Sequence, residues 1–228
     1  MRAQWTAIWG AIAILAVLTI TRPVCAQSVS VQEPVVQMDF SHPELSPSRW
    51  TLILHPDGSG HFNSERKNKS AETTRSLDAP NIDREIRLSR DFAAHVFTVA
   101  HQCSGFRMDC ESPQKVAFMG WKKLSYSGSE GHGACEFNYS ADKEIQALGA
   151  SLTAVAGTIV EGARLEMLLQ HDRLGLDQEM QNLTEEVSSG RAVQLGLIRK
   201  VLEQLAEDPG VMERVRKRAK LLLAKAGE

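Results

Sequence analysis

Residues 140–171 have the sequence SADKEIQALGASLTAVAGTIVEGARLEMLLQH, which predicts one long helix that organises the second half of the chain. Ser140 is placed to cap this helix, and Asp142 and Glu144 suit the positive end of the helix dipole. Apolar side chains recur every three or four residues, which is the period of a buried helical stripe. The stripe consists of Ile145, Leu148, Leu152, Val155, Ile159, Ala163 and Met167.

The same stretch raises the question of a membrane span, because residues 145–160 carry no charge. A span needs about 20 apolar residues. This run is shorter and contains Gln146, Ser151, Thr153 and Thr158. The sequence therefore favours a core helix over a membrane span.

Three further helices are predicted after the long one. Asp177 is a candidate cap for the first of them, and Gly190 is placed to end it. Residues 192–205 have the apolar period of the next helix. Asp208-Pro209 predicts the start of the last, since proline is favoured at the first helical position.

The first half of the chain has the patterns of a sheet. Strands are predicted at residues 50–55, 61–65, 84–88, 115–127 and 135–139. The first two strands flank the turn sequence Pro56-Asp-Gly-Ser-Gly60 and predict a hairpin. Ser89 is a candidate cap for one helix that ends near Gln102. Gly120 predicts a bulge or turn within the fourth strand.

These patterns predict an α+β fold with its elements segregated along the chain, which argues against a doubly wound parallel sheet. Residues 49–139 are expected to form a small, mainly antiparallel sheet with one helix. Residues 140–228 are expected to form an all-helical region of about four helices. Residues 27–48 contain three prolines and predict an extended linker.

Residues 1–26 have the features of a signal peptide. Arg2 supplies a short basic region, residues 5–20 are uncharged and mostly apolar, and Val24-Cys-Ala26 places small residues before a cleavage site at Gln27. The sequence therefore predicts a secreted protein, periplasmic or extracellular. The alternative is a protein that keeps residues 5–20 as a membrane anchor.

Three cysteines remain after such a cleavage, and export implies an oxidising compartment. We expect a disulfide between Cys110 and Cys135, with Cys103–Cys110 as the local alternative. The full chain of 228 residues has a net charge of −2. This balance gives no support to a nucleic-acid partner.

The motifs that would identify an enzyme or a cofactor site are weak. His101, Cys103 and Cys110 lack the close ligand pairs of a zinc site, so no metal and no cofactor is predicted. No nucleophile elbow and no zinc-protease motif is present. An envelope hydrolase remains an alternative, with a site near His101, Asp109 and Glu111.

A dense charged cluster lies at the C-terminal end of the long helix and is a possible patch for polar recognition. It consists of Arg164, Glu166, His171, Asp172 and Arg173. Because the sequence predicts export and a well-patterned scaffold and fails every test for a catalytic motif, we expect an exported, non-enzymatic binding or assembly protein whose partner is an unknown protein or envelope component. The membrane-anchored interaction protein is the further alternative.

Overall fold

The computed structural model describes residues 33–65 and 81–226, and the predicted signal peptide lies outside these residues. The described residues all belong to one compact unit. Within the described ranges six strands are present: β1 Val35–Ser41, β2 Arg49–Leu54, β3 Ser59–Glu65, β4 Ile82–Arg87, β5 Trp121–Gly128 and β6 Gly131–Phe137. The same ranges contain five α-helices: α1 Arg90–Gln102, α2 Lys143–His171, α3 Leu176–Ser188, α4 Arg199–Glu207 and α5 Glu213–Lys225.

The six strands form one antiparallel sheet in the order β4-β3-β2-β1-β5-β6. Side chains alternate along each strand, as the pleat requires. In β1, Val36, Met38 and Phe40 are buried under the helices, whereas the intervening residues lie on the open face. This confirms the predicted α+β class, although the sheet has more strands than the word small suggests.

The strand β1 corrects the interpretation of residues 27–48 as a linker. Val35–Ser41 pairs with β2 on one side and with β5 on the other, so it is a central strand. Its sequence, VVQMDFS, alternates apolar and polar side chains at Val36, Met38 and Phe40. The prolines that suggested a linker lie outside the strand, at Pro34 and beyond Ser41.

The predicted strand at residues 115–127 is also corrected, because β5 begins only at Trp121. The residues before it form an irregular segment that is held by one side chain. The side-chain carbonyl oxygen of Asn138 accepts a hydrogen bond from the Met119 amide at 2.6 Å, and the side-chain NH₂ group donates to the Ala117 carbonyl oxygen at 3.1 Å. Gly120 marks the junction with a φ of 96°.

Several helix boundaries follow the sequence signals and others do not. Ser89 caps α1 as expected, with its hydroxyl accepting from the Phe92 amide. The cap of α2 is Asp142 rather than Ser140, because the Asp142 carboxylate accepts from two amides of the first turn. Gly190 follows the end of α3 with a φ of 73°, the left-handed conformation that favours glycine.

The other two predicted helix starts are wrong. No side chain caps α3, whose N-cap residue is Gly175. The Asp208 carboxylate accepts from the Gly210 amide and so closes a local turn instead of starting a helix. The last helix, α5, begins later, at Glu213.

The long helix α2 belongs to two hydrophobic cores. Its residues from Ile145 to Ala163 pack with the sheet and α1. Leu165 and Leu168 pack with α3, α4 and α5. Among the described helices, α2 alone is long and apolar enough to cross a membrane, but 56% of its most apolar window is buried within the protein. The helix therefore has the burial of a core element.

Candidate functional site

A cleft of about 700 Å³ runs along α2, and we call it the α2 cleft. Its floor is the side of α2 that faces away from the buried stripe. One wall comes from the end of the sheet and the loop after β1, and the other comes from the end of α3. Its lining includes Phe40, Leu45, Pro47, Trp50, Met119, Lys122, Gln146, Ala150, Thr153, Ala154, Gly157, Val160, Glu161, Arg164, Glu186 and Arg191.

The floor of the cleft is long and has few large side chains. From Gln146 to Arg164 the helix advances about 27 Å, at 1.5 Å per residue. Ala150 is exposed, and a Cβ placed on Gly157 would contact only the Arg191 carbonyl oxygen, at 3.7 Å. Ala150 and Gly157 are therefore not required to be small by packing within the described chain.

The wall at the sheet end is apolar. The rings of Phe40 and Trp50 stack with their centroids 5.1 Å apart. Leu45 and Met119 extend this wall outward and stay 49% and 45% exposed. The Lys122 amine also lies on this side, where it donates to the carbonyl oxygens of Gly120 and Asn138. Burial lowers the pKa of Lys122.

The other end of the cleft is charged. The Arg164 Nη1 atom donates to Glu161 Oε1 and to Glu179 Oε1, both at 2.8 Å. Glu161 precedes Arg164 by three residues on α2, and Glu179 comes from α3, so this cluster ties the two helices together. The side chains of Glu161 and Glu179 are only 13% and 11% exposed.

Burial and hydrogen bonding shift the pKa values of Glu161 and Glu179 in opposite directions. Burial raises the pKa of Glu161 to about 9, with a further contribution from the hydrogen bond to Glu179. Burial acts in the same direction on Glu179, but hydrogen bonds from Glu161 and Arg164 outweigh it and lower the pKa of that carboxyl. Glu161 is therefore the protonated partner at neutral pH, and Glu179 is the carboxylate that balances Arg164.

At the charged end, Arg164 Nε is buried and makes no hydrogen bond to another described group. Arg191 and Glu186 form no side-chain ion pair within the part of the chain that the structure describes. The exposed Arg191 side chain is therefore available to contact a polar group of a ligand in the cleft.

The charged cluster predicted from the sequence does not converge on one site. Glu166 pairs with Arg84 on β4, with 3.1 Å between oxygen and nitrogen. Arg173 pairs with Asp208 at 3.0 Å. The Asp172 carboxylate accepts from the Gly175 amide. His171 is exposed at the end of α2. Of the five predicted residues, only Arg164 lines the α2 cleft.

The residues of the alternative hydrolase site also have separate partners. His101 Nδ1 lies 3.1 Å from Glu130 Oε2, and the His101 ring packs edge-on against Tyr126. The Asp109 carboxylate accepts from the Glu111 amide, and Glu111 Oε2 accepts from the Asn138 amide at 2.6 Å. The small cavity of about 70 Å³ beside His101 is lined by neither acid.

The cysteines have the arrangement that the sequence analysis favoured. A disulfide joins Cys110 to Cys135, with their Cα atoms 5.7 Å apart. Cys103 is a buried free thiol whose pKa is raised by burial and by Asp142 and Glu144. Within residues 33–65 and 81–226, no group of three histidine, cysteine or acidic side chains is arranged to hold a metal ion.

A second hollow, of about 330 Å³, lies on the open face of the sheet. Arg49, Asn63 and Glu65 line it, and Trp121, which is 48% exposed, forms one side. Polar and apolar surface contribute about equally to this lining, whereas the lining of the α2 cleft is mostly apolar. The α2 cleft is therefore the stronger candidate for ligand binding.

Comparison with models of known protein families and with curated protein sequences finds no match. The candidate site thus rests on the geometry of this chain. The sequence analysis missed the α2 cleft because one wall comes from the loop after β1, within the predicted linker. A usable signal is present in α2, where Ala150, Ala154 and Gly157 lie opposite the buried stripe.

Proposed function

We propose that this protein is an exported, non-enzymatic binding protein that holds an amphiphilic small molecule in the α2 cleft. The observation that carries the proposal is the combination of a largely apolar, 700 Å³ cleft with charged groups at one end. Small-molecule sites commonly have volumes of about 300–1,000 Å³, with an apolar lining and few polar groups.

The non-enzymatic part of the proposal is supported by the chemistry of the lining. Among the described residues, the side chains around the α2 cleft include no histidine and no cysteine. The Thr153 hydroxyl donates to the Gly149 carbonyl oxygen at 2.7 Å and so has a structural partner. Nucleophilic catalysis needs an activated nucleophile beside a base, and the described residues of this lining offer no such pair.

Export is supported by two features. Residues 1–26 have the pattern of a signal peptide. The disulfide between Cys110 and Cys135 fits an oxidising compartment, in which such bonds persist. A binding protein of this kind acts in the periplasm or outside the cell.

The experiment that tests binding uses Nile red, an uncharged apolar dye that fluoresces when it leaves water. Protein beginning at Gln27 is titrated with the dye, alone and as the Gly157→Leu variant. Leucine at this position fills the cleft floor, where a Cβ meets no side chain. The control is Ala224→Leu, which adds the same side chain to an exposed position on α5.

We expect saturable binding of one dye by the wild type and by Ala224→Leu. For Gly157→Leu we expect a Kd at least about tenfold higher, because the added side chain occupies space that the dye needs. A tenfold change in Kd corresponds to a loss of about 1.4 kcal/mol in binding free energy. Circular dichroism and thermal unfolding check that both variants fold. Equal binding by a folded Gly157→Leu variant, or no saturable binding by the wild type, would overturn the proposal.

A further inference from the structure

The hollow on the open face of the sheet has no role in the proposed function, and we call it the sheet hollow. We propose that it is a second binding site, for a neutral saccharide. One sugar ring stacks on the indole of Trp121, and hydroxyl groups of the saccharide bind Asp39, Asn63 and Arg49. The side chains of this site point away from the helices, so the proposal is independent of the ligand in the α2 cleft.

The register of four neighbouring strands creates the sheet hollow. Ser41 on β1 lies directly opposite Arg49 on β2 and Trp121 on β5, so a small side chain separates two large ones. Arg49 in turn lies opposite Glu65 on β3. The hollow that results has a volume of about 330 Å³. This volume lies at the lower end of the range for small-molecule sites.

A second row of side chains lies beside the first on the same face. Each member is directly opposite the next on the neighbouring strand, in the order Asn63, Thr51, Asp39 and Lys123. Strands are about 4.8 Å apart and residues two apart on a strand are separated by about 7 Å, so the two rows cover roughly 14 Å by 7 Å. This area suits one or two pyranose rings.

The carboxylate of Asp39 is held in place by its neighbours on the open face. Gln37 Nε2 donates to both carboxylate oxygens at 2.9 Å, and the Thr51 hydroxyl donates to Oδ1 at 2.7 Å. Oδ2 accepts from Gln37 alone and therefore keeps acceptor capacity for a ligand hydroxyl. A side chain that is already fixed loses little conformational freedom on binding, which favours affinity.

Two accessible donors of the sheet hollow have no partner in the part of the chain that the structure describes. The Asn63 side-chain amide is half-buried and makes no hydrogen bond there. Arg49 is exposed and forms no ion pair there, although Glu65 lies opposite it. These N–H groups can therefore donate to a ligand without breaking an existing bond in the protein.

Trp121 supplies the apolar surface that a sugar ring needs. Its side chain is 48% exposed, and Phe118 packs against it edge-on, with ring centroids 6.4 Å apart. A pyranose ring has C–H groups on its faces and hydroxyl groups around its edge. C–H groups pack favourably on the electron-rich face of an aromatic ring. An indole beside fixed polar side chains thus matches both surfaces of a saccharide.

Two features favour a neutral saccharide over other polar ligands. The lining holds three basic and three acidic side chains, so it has no excess charge to attract a phosphate or a uronate: Arg49, Lys122, Lys123, Asp39, Glu65 and Glu136. The strands β1, β2 and β5 are each paired on both sides. Their main-chain groups are therefore engaged within the sheet, whereas recognition of an extended peptide uses a free sheet edge.

The test is a titration of protein beginning at Gln27 with trisaccharides, followed by tryptophan fluorescence. Of the four tryptophans, Trp5 and Trp9 precede Gln27. Trp50 is buried, so emission from Trp121 is expected to respond to a ligand in the sheet hollow. The neutral probes are maltotriose, cellotriose, mannotriose, galactotriose and triacetylchitotriose, and trigalacturonic acid is the anionic probe. Isothermal titration supplies the Kd of each variant.

We expect saturable binding of at least one neutral trisaccharide, tighter than that of trigalacturonic acid. Trp121→Ala should raise its Kd at least about tenfold and Asn63→Ala at least about threefold, the scales of a lost stacking contact and a lost hydrogen bond. The control is Leu174→Ala, which truncates an 82% exposed side chain outside the lining and should leave the Kd unchanged. Gly157→Leu in the α2 cleft should also leave it unchanged.

Three results would overturn the inference. They are absence of saturable binding by all the neutral trisaccharides, tighter binding of trigalacturonic acid, and an unaltered Kd in folded Trp121→Ala and Asn63→Ala variants. Loss of saccharide binding in Gly157→Leu would also overturn it, by placing the saccharide in the α2 cleft. Nile red binding tests the proposed function separately, so the failure of one proposal is distinguishable from the failure of the other.

Discussion

Arg164 on α2 and Glu179 on α3 are joined by a 2.8 Å contact between Nη1 and Oε1, at the point where the α2 cleft ends. The same Nη1 atom contacts Glu161 at 2.8 Å. One guanidinium group therefore binds two carboxyl groups, of which Glu161 is protonated and Glu179 is ionised. This relationship makes the charged end both a structural tie between two helices and a wall of the candidate site. Substitutions of these three residues are therefore expected to change the free energy of unfolding and the ligand affinity, and the two effects can be measured separately.

The stability of the protein should fall as pH rises from about 5 to 9 because of Glu161. Burial raises its folded-state pKa to about 9 from a usual 4.5, so in this window the folded protein binds a proton that the unfolded chain releases. The loss is at most about 1.4 kcal/mol per pH unit. The lowered pKa of Glu179 acts below its usual 4.5, outside this window.

Urea unfolding of wild type and Glu161→Gln at pH 5, 7 and 9 measures this effect, because glutamine keeps the neutral shape at every pH. As pH rises, the free energy of unfolding should fall less in Glu161→Gln than in the wild type. Glu185→Gln, at an exposed position on α3, is the control and should follow the wild type. Parallel pH profiles for wild type and Glu161→Gln would show that Glu161 ionises normally.

Removal of the Arg164 guanidinium should cost much more than removal of a more exposed one. Arg164→Met leaves buried Glu161 and Glu179 without their cation, and we expect a loss of about 3 kcal/mol in the free energy of unfolding. Arg84→Met breaks the pair with Glu166, whose side chains are 34% and 39% exposed, and should cost at most about 1 kcal/mol. Urea unfolding at pH 7 compares them, and equal losses would contradict the buried role of Arg164.

Two glycines of α2 should respond in opposite ways to the same substitution. A Cβ on Gly162 would overlap the Ile198 side chain, so Gly162→Ala should destabilise the protein by about 1–3 kcal/mol. Gly157 faces the cleft, so Gly157→Ala should be neutral or stabilise by up to about 1 kcal/mol through helix propensity. Thermal unfolding measures both. Destabilisation by Gly157→Ala would show that its face is occupied within the protein.

The disulfide should contribute about 3 kcal/mol, because it closes a loop with a sequence separation of 25 residues. Reductant should therefore lower the unfolding free energy of the wild type by this amount and leave a Cys110→Ser/Cys135→Ser variant unchanged. A stability that is insensitive to reductant would contradict the contribution of this bond.

Unreduced intact mass spectrometry of protein from its native host reports whether the chain begins at Gln27.

The parts of the fold that the sequence predicts are those with local causes. The hairpin of β2 and β3 follows from the turn at Pro56–Gly60, and α1 begins at Ser89 because that hydroxyl accepts from the Phe92 amide. The long helix follows from the spacing of its apolar residues from Ile145 onward. Each of these signals lies within a few residues of the structure that it specifies.

The parts that the sequence did not predict have distant causes. The irregular segment before Trp121 is fixed by Asn138, almost twenty residues later. The strand β1 gains its stability from pairing with β2 and β5 on either side. The charged end of the cleft joins Arg164 to Glu179, fifteen residues away on another helix. Only Arg164 of that cluster was in the predicted polar patch, because neighbours in the sequence are not neighbours in the site.

The central claim, that the α2 cleft is a ligand site, is tested most directly by nuclear magnetic resonance. Uniformly ¹⁵N-labelled protein from Gln27 is titrated with lauroyl lysophosphatidylethanolamine, and the backbone amide shifts are mapped onto the chain. The account predicts saturable changes at Ala150, Gly157, Glu161, Glu186 and Arg191, and unchanged amides on the open sheet face at Asn63 and Lys123. Saturable shifts on the open face, with an unperturbed α2, would contradict it.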